Sequence, residues 1–247
     1  MLNIIGEELS LLGRNIRGRL GYRAEGTQSY FIIKDILPPS TFSKIKDVLV
    51  IQKNNSLRQE SFFRKGSAFD ATDMRNNCPE VVCAVVSESL LLSVRQNTGI
   101  ESIQFVPDGD VNQISLLHYR NAGDGIDWHV DGNIYIGQRW AGILTISEET
   151  EDPDSKLEIL PKGKRTTFPV ESVENSLILF QGDQVRHRVR EMRDGEERLV
   201  INLLFTTNPK QSRNPFMRGY QSLVNYFFYG RLRSGFQIQN SQQEDKT

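Results

Sequence analysis

This chain is short of histidine. It has three in 247 residues, so a metal site built on imidazole has almost no choice of ligands. Cysteine is nearly absent as well: Cys78 and Cys83 lie close together in a helix-like run. Such a pair makes neither a disulfide framework nor a zinc knuckle, and it fits a reducing compartment, the cytoplasm by expectation. Charge of one sign is missing: thirty Lys and Arg face 31 Asp and Glu, for a formal net charge of −1. No basic field calls for nucleic acid. Long apolar runs are missing too. The stretch 81–86 is too short to span a bilayer, and Glu7 and Glu8, with no apolar core segment, argue against a cleavable secretory segment. No internal repeat is visible. With 38% apolar and 25% charged residues, the composition is that of a soluble globular chain with one main domain.

The first half reads as helical. Ile5, Leu9, Leu12, Ile16 and Leu20 recur at helical spacing, which predicts an amphipathic helix lying on the protein's own sheet. A short strand is expected over 29–33. Pro38-Pro39-Ser40-Thr41 starts a helix with Phe42, Ile45 and Leu49 on one face. The polar stretch 54–77 reads as loop or irregular strand. Pro79 opens a third helix, which runs to about residue 97 and is ended by Gly99. From residue 103 the period changes to two. Strand-like runs follow at 103–106, 114–120, 126–131, 140–147, 156–160, 166–170, 176–180, 185–190 and 198–205, separated by Gly, Pro, Asn and Asp turns. The fold class expected is α+β. A double-stranded β-helix, or jelly-roll barrel, would carry the N-terminal helices on its outer face and a C-terminal helical segment. The organisation expected is a helical support over 1–100, a jelly-roll core over 101–208, an aromatic helix or lid over 209–236, and a disordered tail over 237–247.

Two of the three histidines fall in one pattern. His129-Val130-Asp131 is followed, after 55 intervening residues, by His187, and Arg198 stands eleven positions beyond that. Two imidazoles and one carboxylate on one side of an ion form the facial triad of non-haem Fe(II) sites, with the opposite positions open. Strand alternation points His129 and Asp131 the same way, and the Gly132-Asn133 turn places them at a barrel mouth. Arg198, Val200 and Asn202 share one face of the last strand, and Leu199, Ile201 and Leu203 share the other. The Arg198 guanidinium offers a two-pronged fork for the far carboxylate of a keto acid, and Asn202 can add a hydrogen bond. A bare His-x-Asp is a weak signal. The strand context, the glycine turn and the placed arginine give it weight.

The run from Leu116 to Asp131, Leu-Leu-His-Tyr-Arg-Asn-Ala-Gly-Asp-Gly-Ile-Asp-Trp-His-Val-Asp, resembles the prolyl 4-hydroxylase-like branch of the Fe(II)/2-oxoglutarate-dependent dioxygenases. Leu-Glu-Ile-Leu-Pro-Lys-Gly-Lys at 157–164 and Ser-Leu-Ile-Leu-Phe at 176–180 extend the likeness, which covers residues 114–205. The resemblance implies that His129, Asp131 and His187 hold Fe(II) and are catalytic. It also implies that Arg198 binds the distal carboxylate of 2-oxoglutarate, with Tyr119 beside the cosubstrate and Thr145 adding a polar contact. O2 would be the co-reactant, with succinate and CO2 released. Halogenating members replace the carboxylate that stands here as Asp131, so hydroxylation or a related oxidation is implied. The chain departs from the family's frequent paired glycines at Ser155-Lys156, and it has Arg198 where collagen-type members use Lys.

Other residues read more plainly. His118 precedes Tyr119 and should face away from the pocket. Trp128 should face out of the barrel and pack under the helices, and both cysteines should be buried. Arg64 and Lys65 lie in the irregular segment before the barrel. They read as solvated charges, or as basic contacts for an acidic group of the substrate. Phe216, Tyr220, Leu223, Val224, Phe227 and Phe228 recur at helical spacing and suggest a helix packed on the barrel, or a lid or dimer contact. A small-molecule substrate is favoured because no separate peptide-binding domain is visible, and a peptide is the alternative. A nucleic-acid demethylase on the same fold would carry a second arginine six residues after Arg198, where this chain has Leu204. A non-catalytic metal-binding barrel and a zinc hydrolase are the remaining readings, and no general base stands out for the latter.

Overall fold

The computed structural model describes residues 2–20, 29–61, 64–151, 155–160, 168–169 and 173–229. In chain order the helices are α1 (Leu2–Leu20), α2 (Pro39–Gln52), α3 (Ala71–Asn77), α4 (Pro79–Val85), α5 (Glu88–Thr98) and α6 (Pro215–Tyr229). The early strands are β1 (Tyr30–Ile33), β2 (Leu57–Glu60), β3 (Arg64–Phe69), β4 (Gln104–Phe105), β5 (Ile114–Tyr119) and β6 (Gly125–His129). The later ones are β7 (Arg139–Glu149), β8 (Leu157–Leu160), β9 (Phe168–Pro169), β10 (Leu177–Phe180), β11 (Arg186–Val189) and β12 (Glu197–Thr206). They pair in the order β1-β10-β7-β12-β5-β3-β6-β11-β8-β9, with β2 on β3 and β4 on β12. No single described helix is long and apolar enough to cross a membrane.

Strand alternation divides the core in two. On β12, Leu199, Ile201, Leu203 and Phe205 join an outer cluster with Phe42, Ile45 and Leu49 of α2 and with Val81, Leu90 and Val94 of the following helices. Val200 points the other way, into an inner cluster with Leu117, Tyr119, Ile143, Ile178, Phe180, Ile159, Val185 and Val189. Those residues come from both halves of the strand order, so the sheet curls until its two halves face each other. This is the expected α+β jelly roll, with helices covering one outer face.

Several local expectations change. The stretch 54–77, expected as loop or irregular strand, holds two strands and a helix, β2, β3 and α3, and β3 bridges the two halves of the sheet by pairing with β5 and β6. Its charges misled the reading, because Arg64 lies fully inside. Asp70 accepts hydrogen bonds from the backbone N–H groups of Thr72 and Asp73, both at 2.9 Å, and so starts α3. The single helix expected over 79–97 is two helices, broken where Ser87 caps α5 by accepting from Leu90 N. Cys78 is buried but Cys83 is exposed.

Helix α1 is amphipathic as expected but is turned around. Leu11 is buried, whereas Ile5, Leu9, Leu12, Ile16 and Leu20 all face solvent. Its polar side docks instead, through bonds that are cheap to satisfy against loop backbone. On α6, Phe216 and Leu223 are exposed and the polar Gln221 and Asn225 are buried, so the apolar packing expected of Phe216 and Leu223 is not made. The tail beyond 229 lies outside the described residues.

One position in β3 needs glycine. Gly66 has φ +147°, and a Cβ there would sit 2.9 Å from the Tyr119 ring and 3.2 Å from the His118 carbonyl. Gly66→Ala is expected to cost about 1–3 kcal/mol of stability. Urea unfolding should show this as a lower midpoint at unchanged slope.

Candidate metal and anion site

The two histidines meet because β6 contains a bulge. His187 pairs with His129 and Val189 pairs with Ile126, so Asp127 and Trp128 together oppose the single residue Arg188. Ile126 and Val189 both face the inner core. The extra residue lets His129 face inward as well, three positions after Ile126. Trp128 is left outside, as expected, but it does not lie under the helices. The guanidinium carbons of Arg188 and Arg186 lie 4.8 and 5.8 Å from its ring centroid.

Each imidazole is held through Nδ1. That atom of His129 donates to the Asp127 carbonyl at 2.7 Å, and that of His187 donates to the Val185 carbonyl at 3.0 Å. A carbonyl can only accept, so both Nδ1 atoms carry the proton and both Nε2 lone pairs are left for a metal. Asp131 Oδ1 lies 3.9 Å from His129 Nε2 and 3.8 Å from His187 Nε2. One ligand atom from each of the three residues falls within 4.8 Å of the others. The fit is that of a facial set of two nitrogens and one oxygen.

Asp131 is not on the strand. β6 ends at His129, and the Asp131 N–H donates to the Gly182 carbonyl at 2.8 Å. The turn after β10 therefore places the third ligand, rather than the alternation expected from the sequence. A Cβ on Gly182 would stand 2.2 Å from Asp131 Oδ2. Arg139 Nε donates to that same oxygen at 3.3 Å, which leaves Oδ1 turned toward the imidazoles. Burial works against the Asp131 carboxylate, but Arg139 and the two imidazoles outweigh it and hold its pKa down to about 2. Burial, with His129 next to it, pushes His187 down to about 4, so it stays neutral and able to ligate. No motif marks Arg139. It is simply the first residue of the strand after the ligand turn.

A second layer ties α1 to this site. Asn15 Nδ2 donates to the Asn133 carbonyl at 2.9 Å, and Asn133 N donates back to Asn15 Oδ1 at 3.0 Å. Arg14 donates to the carbonyls of Ile136 and Gly137, and Gln184 Nε2 donates to the Arg14 carbonyl at 3.2 Å. Asn133 Nδ2 also donates to Asp183 Oδ2 at 3.0 Å. Burial pushes the Asp183 carboxyl up to about 6 despite that bond.

Arg198 lies buried further inside the barrel. Arg198 pairs with Tyr119 on one side and Glu148 on the other, and Val200 pairs with Thr145. A second bulge, in β7 beside Leu199 and Val200, turns Glu148 inward. Arg198 Nε donates to Glu148 Oε2 at 3.0 Å, with both side chains buried. Glu148 also accepts from Ser155 Oγ and from Lys156 N. The sequence reading missed Glu148, which sits in no motif. Arg198 Nη2, Thr145 Oγ1 and Ser115 Oγ are buried with no hydrogen-bond partner among the described residues. Ser115 pairs with Asn202, which is half-buried on the Arg198 face of β12. Unpartnered buried donors are costly, and a guanidinium edge beside a hydroxyl fits a carboxylate that would satisfy both.

The remaining sequence candidates divide: His118 and Lys65 point elsewhere, and Arg64 is buried against Tyr119 of the inner cluster. His118 faces away from it, as expected, and bonds Glu197 at 2.5 Å. Arg64 stacks at 5.8 Å from the Tyr119 ring centroid. With Lys65, Asp127, Arg188 and Arg190 it lines a groove of about 400 Å³, whose walls do not include the metal triad.

The sequence matches no protein-family model and no curated protein. The fold matches solved structures. A Pseudomonas putida prolyl-4-hydroxylase aligns with a TM-score of 0.54 at 15% identity, over 83% of this chain and 100% of that one. A Trichoplax adhaerens prolyl hydroxylase, solved with a peptide fragment of the hypoxia-inducible factor oxygen degradation domain, aligns with a TM-score of 0.56 at 15% identity, over 90% and 97%. HygX from Streptomyces hygroscopicus, solved with nickel and 2-oxoglutarate, aligns with a TM-score of 0.52 at 11% identity, over 73% and 83%. At these identities the likeness defines the fold: the double-stranded β-helix of the 2-oxoglutarate-Fe(II) oxygenases.

Arg139→Ala and Gly182→Ala should each weaken Fe(II) or Co(II) binding about 10- to 100-fold with the fold intact. Metal competition titrations, with circular dichroism as the control, would measure this; unchanged affinity would remove both from the support of Asp131. Asp183→Asn addresses pH. A carboxyl raised from 3.8 to about 6 binds its proton more tightly when folded. It stabilises the folded chain below that window, and the contribution is lost as pH rises through 6. The variant should flatten the stability of the apoprotein between about pH 4 and 6.

Proposed function

We propose that this chain is an Fe(II)- and 2-oxoglutarate-dependent dioxygenase that oxidises a carbon of a small metabolite or amino-acid-type substrate. The observation that carries the reading is the pairing of two ends of one barrel interior. At one end are three metal ligands whose free atoms converge. At the other are a buried guanidinium edge and a buried hydroxyl without partners. A dicarboxylic keto acid has a chelating end and an anionic end, and it fits such a pair.

His129, Asp131 and His187 would hold the iron, and Arg198 with Thr145 would take the distal carboxylate. Tyr119, opposite Arg198 in the strand pairing, and Asn202, on the same face of β12, would be further contacts. When bound, iron and 2-oxoglutarate supply the oxidation of substrate by O2, with succinate and CO2 as products. The chain's own part is positional. The carbonyls of Asp127 and Val185 fix both imidazoles, and Arg139 turns one Asp131 oxygen to the metal. Glu148 grips Arg198 by Nε, so the guanidinium presents its other edge. Phe180, with its ring centroid 4.6 Å from that of His187, walls the metal against water. The reading favours a small molecule because no separate peptide-binding domain stands out among the described residues. A peptide substrate is the second reading, and the likeness to the Trichoplax enzyme favours it.

Anaerobic titration of the apoprotein with Fe(II) and 2-oxoglutarate should give a weak visible charge-transfer band that saturates. Asp131→Ala with His187→Ala should abolish it. Arg198→Ala should raise the 2-oxoglutarate needed for half-saturation by about 100-fold, from loss of a buried charge-assisted pair, while iron still binds. Iron bound without any band would sink the cosubstrate assignment.

A further inference from the structure

The apolar stripe of α1 faces solvent rather than the described core. Ile5, Leu9, Leu12, Ile16 and Leu20 are 54, 63, 40, 48 and 67% exposed. Seven of the twelve exposed large apolar side chains among the described residues lie on α1 and α6. Single exposed apolar residues need no explanation, but a stripe along a whole helix marks an interaction surface. The docked residues Leu11, Arg14, Asn15 and Gly18 lie on the opposite side of the helix, so the fold presents the stripe outward. That docking is specific: a Cβ on Gly18 would lie 2.1 Å from the Asp183 carbonyl.

We propose that this stripe is a contact between two copies of the chain, with the α1 helices packed antiparallel about a two-fold axis near Leu12 and Gly13. The pattern is self-complementary when reversed. Ile5 of one copy falls opposite Leu20 of the other, Leu9 opposite Ile16, and Leu12 opposite Gly13. A glycine across from a leucine is what close helix approach needs, and only the Arg17 side chain lies within 4 Å of a Cβ built on Gly13. The charges are complementary under the same reversal. The N-terminal half carries Glu7, which also pairs with Lys210 of its own chain, and Glu8, which also accepts from Ser212 Oγ and Arg213 N; the C-terminal half carries Arg17 and Arg19. Glu8 and Arg19 stand about three turns apart on one edge of the stripe. Antiparallel pairing sets each copy's Glu8 near the other's Arg19, and the opposed helix dipoles agree with it. A parallel pair would set like charges together. A membrane surface would favour a helix basic throughout, which the two glutamates contradict.

The contact is about 28 Å long, one helix against one helix. An interface of this size is at the small end of specific contacts, so dimerisation in the micromolar range is expected. Sedimentation velocity of the full chain across a concentration series should show a monomer–dimer equilibrium. Leu9→Glu with Ile16→Glu should weaken it at least tenfold, with circular dichroism unchanged. In a Cys83→Ser background, Leu12→Cys should form a disulfide-linked dimer on mild oxidation. Ile5→Cys mixed with Leu20→Cys should cross-link, and Leu20→Cys alone should not. A chain that stays monomeric throughout, or Leu20→Cys cross-linking to itself, would overturn the proposal. So would a monomer that floats with phosphatidylserine–phosphatidylcholine vesicles and loses this in the double variant.

Discussion

The pairing of His187 opposite His129, with one residue too many between them and the next inward pair, is the constraint on which the site depends. In a regular ladder every second side chain faces inward, and a shift of one residue reverses all of them. Ile126 already faces the core. Without the bulge, Trp128 would take the inward place and His129 would face solvent. The bulge spends the extra residue on the outside, where Asp127 and Trp128 meet water and the arginines of β11. The irregularity in β7 acts in the same way at the other end of the cavity. It turns Glu148 inward to meet Arg198, while Ile146 stays in the outer core. Two departures from regular pairing thus aim His129 and Glu148 inward, and the regular strands between them keep the spacing.

Buried charge is arranged unequally at those ends. Asp131 uses Oδ2 on Arg139 and keeps Oδ1 for the imidazoles. Arg198 uses Nε on Glu148 and keeps Nη2. In each case one partner within the chain removes part of the cost of burial without consuming the group. An isolated buried ion would be too costly to hold, and a fully paired one would be inert. Lys156 and Glu196 show the other outcome. They pair at 2.6 Å with both side chains almost wholly buried, and Glu196 also accepts from the backbone N–H groups of Glu151 and Arg193. That pair pins the loops at the Arg198 end and has nothing to offer a ligand.

Much of this was legible in the residues. Period-two patterning from residue 103 gave the strands of the barrel, and the alternation on β12 correctly separated Arg198 from Leu199. His118 facing away followed from the same rule. What escaped were features set by tertiary pairing. Polar β3 reads as a loop because its neighbours, rather than its own side chains, make it a strand. The bulge at Asp127 and Trp128 leaves no residue signature. Arg139 and Glu148 carry no motif, and Gly182 reads only as a turn glycine until Asp131 is placed against it. The orientation of α1 escaped for a different reason. An apolar stripe shows that a helix is amphipathic, but says nothing about which side the rest of the chain will take.

That last point connects the surface to the interior. The polar face of α1 bonds to the segment just after Asp131, through Asn15 and Asn133, and to the turn just after Gly182, through Gln184. These two segments are the ones that fix the third metal ligand, since Asp131 N bonds the Gly182 carbonyl. A helix held mostly by polar contacts, Glu7 and Glu8 with the 210–213 segment among them, has little apolar burial to resist fraying, because Leu11 is its one buried large side chain among those described. Pairing its outer stripe with a second copy would supply the missing burial. In that arrangement the stripe steadies the helix, the helix steadies two loops, and the loops hold the carboxylate, so occupancy of an outer surface and geometry at the metal become parts of one equilibrium.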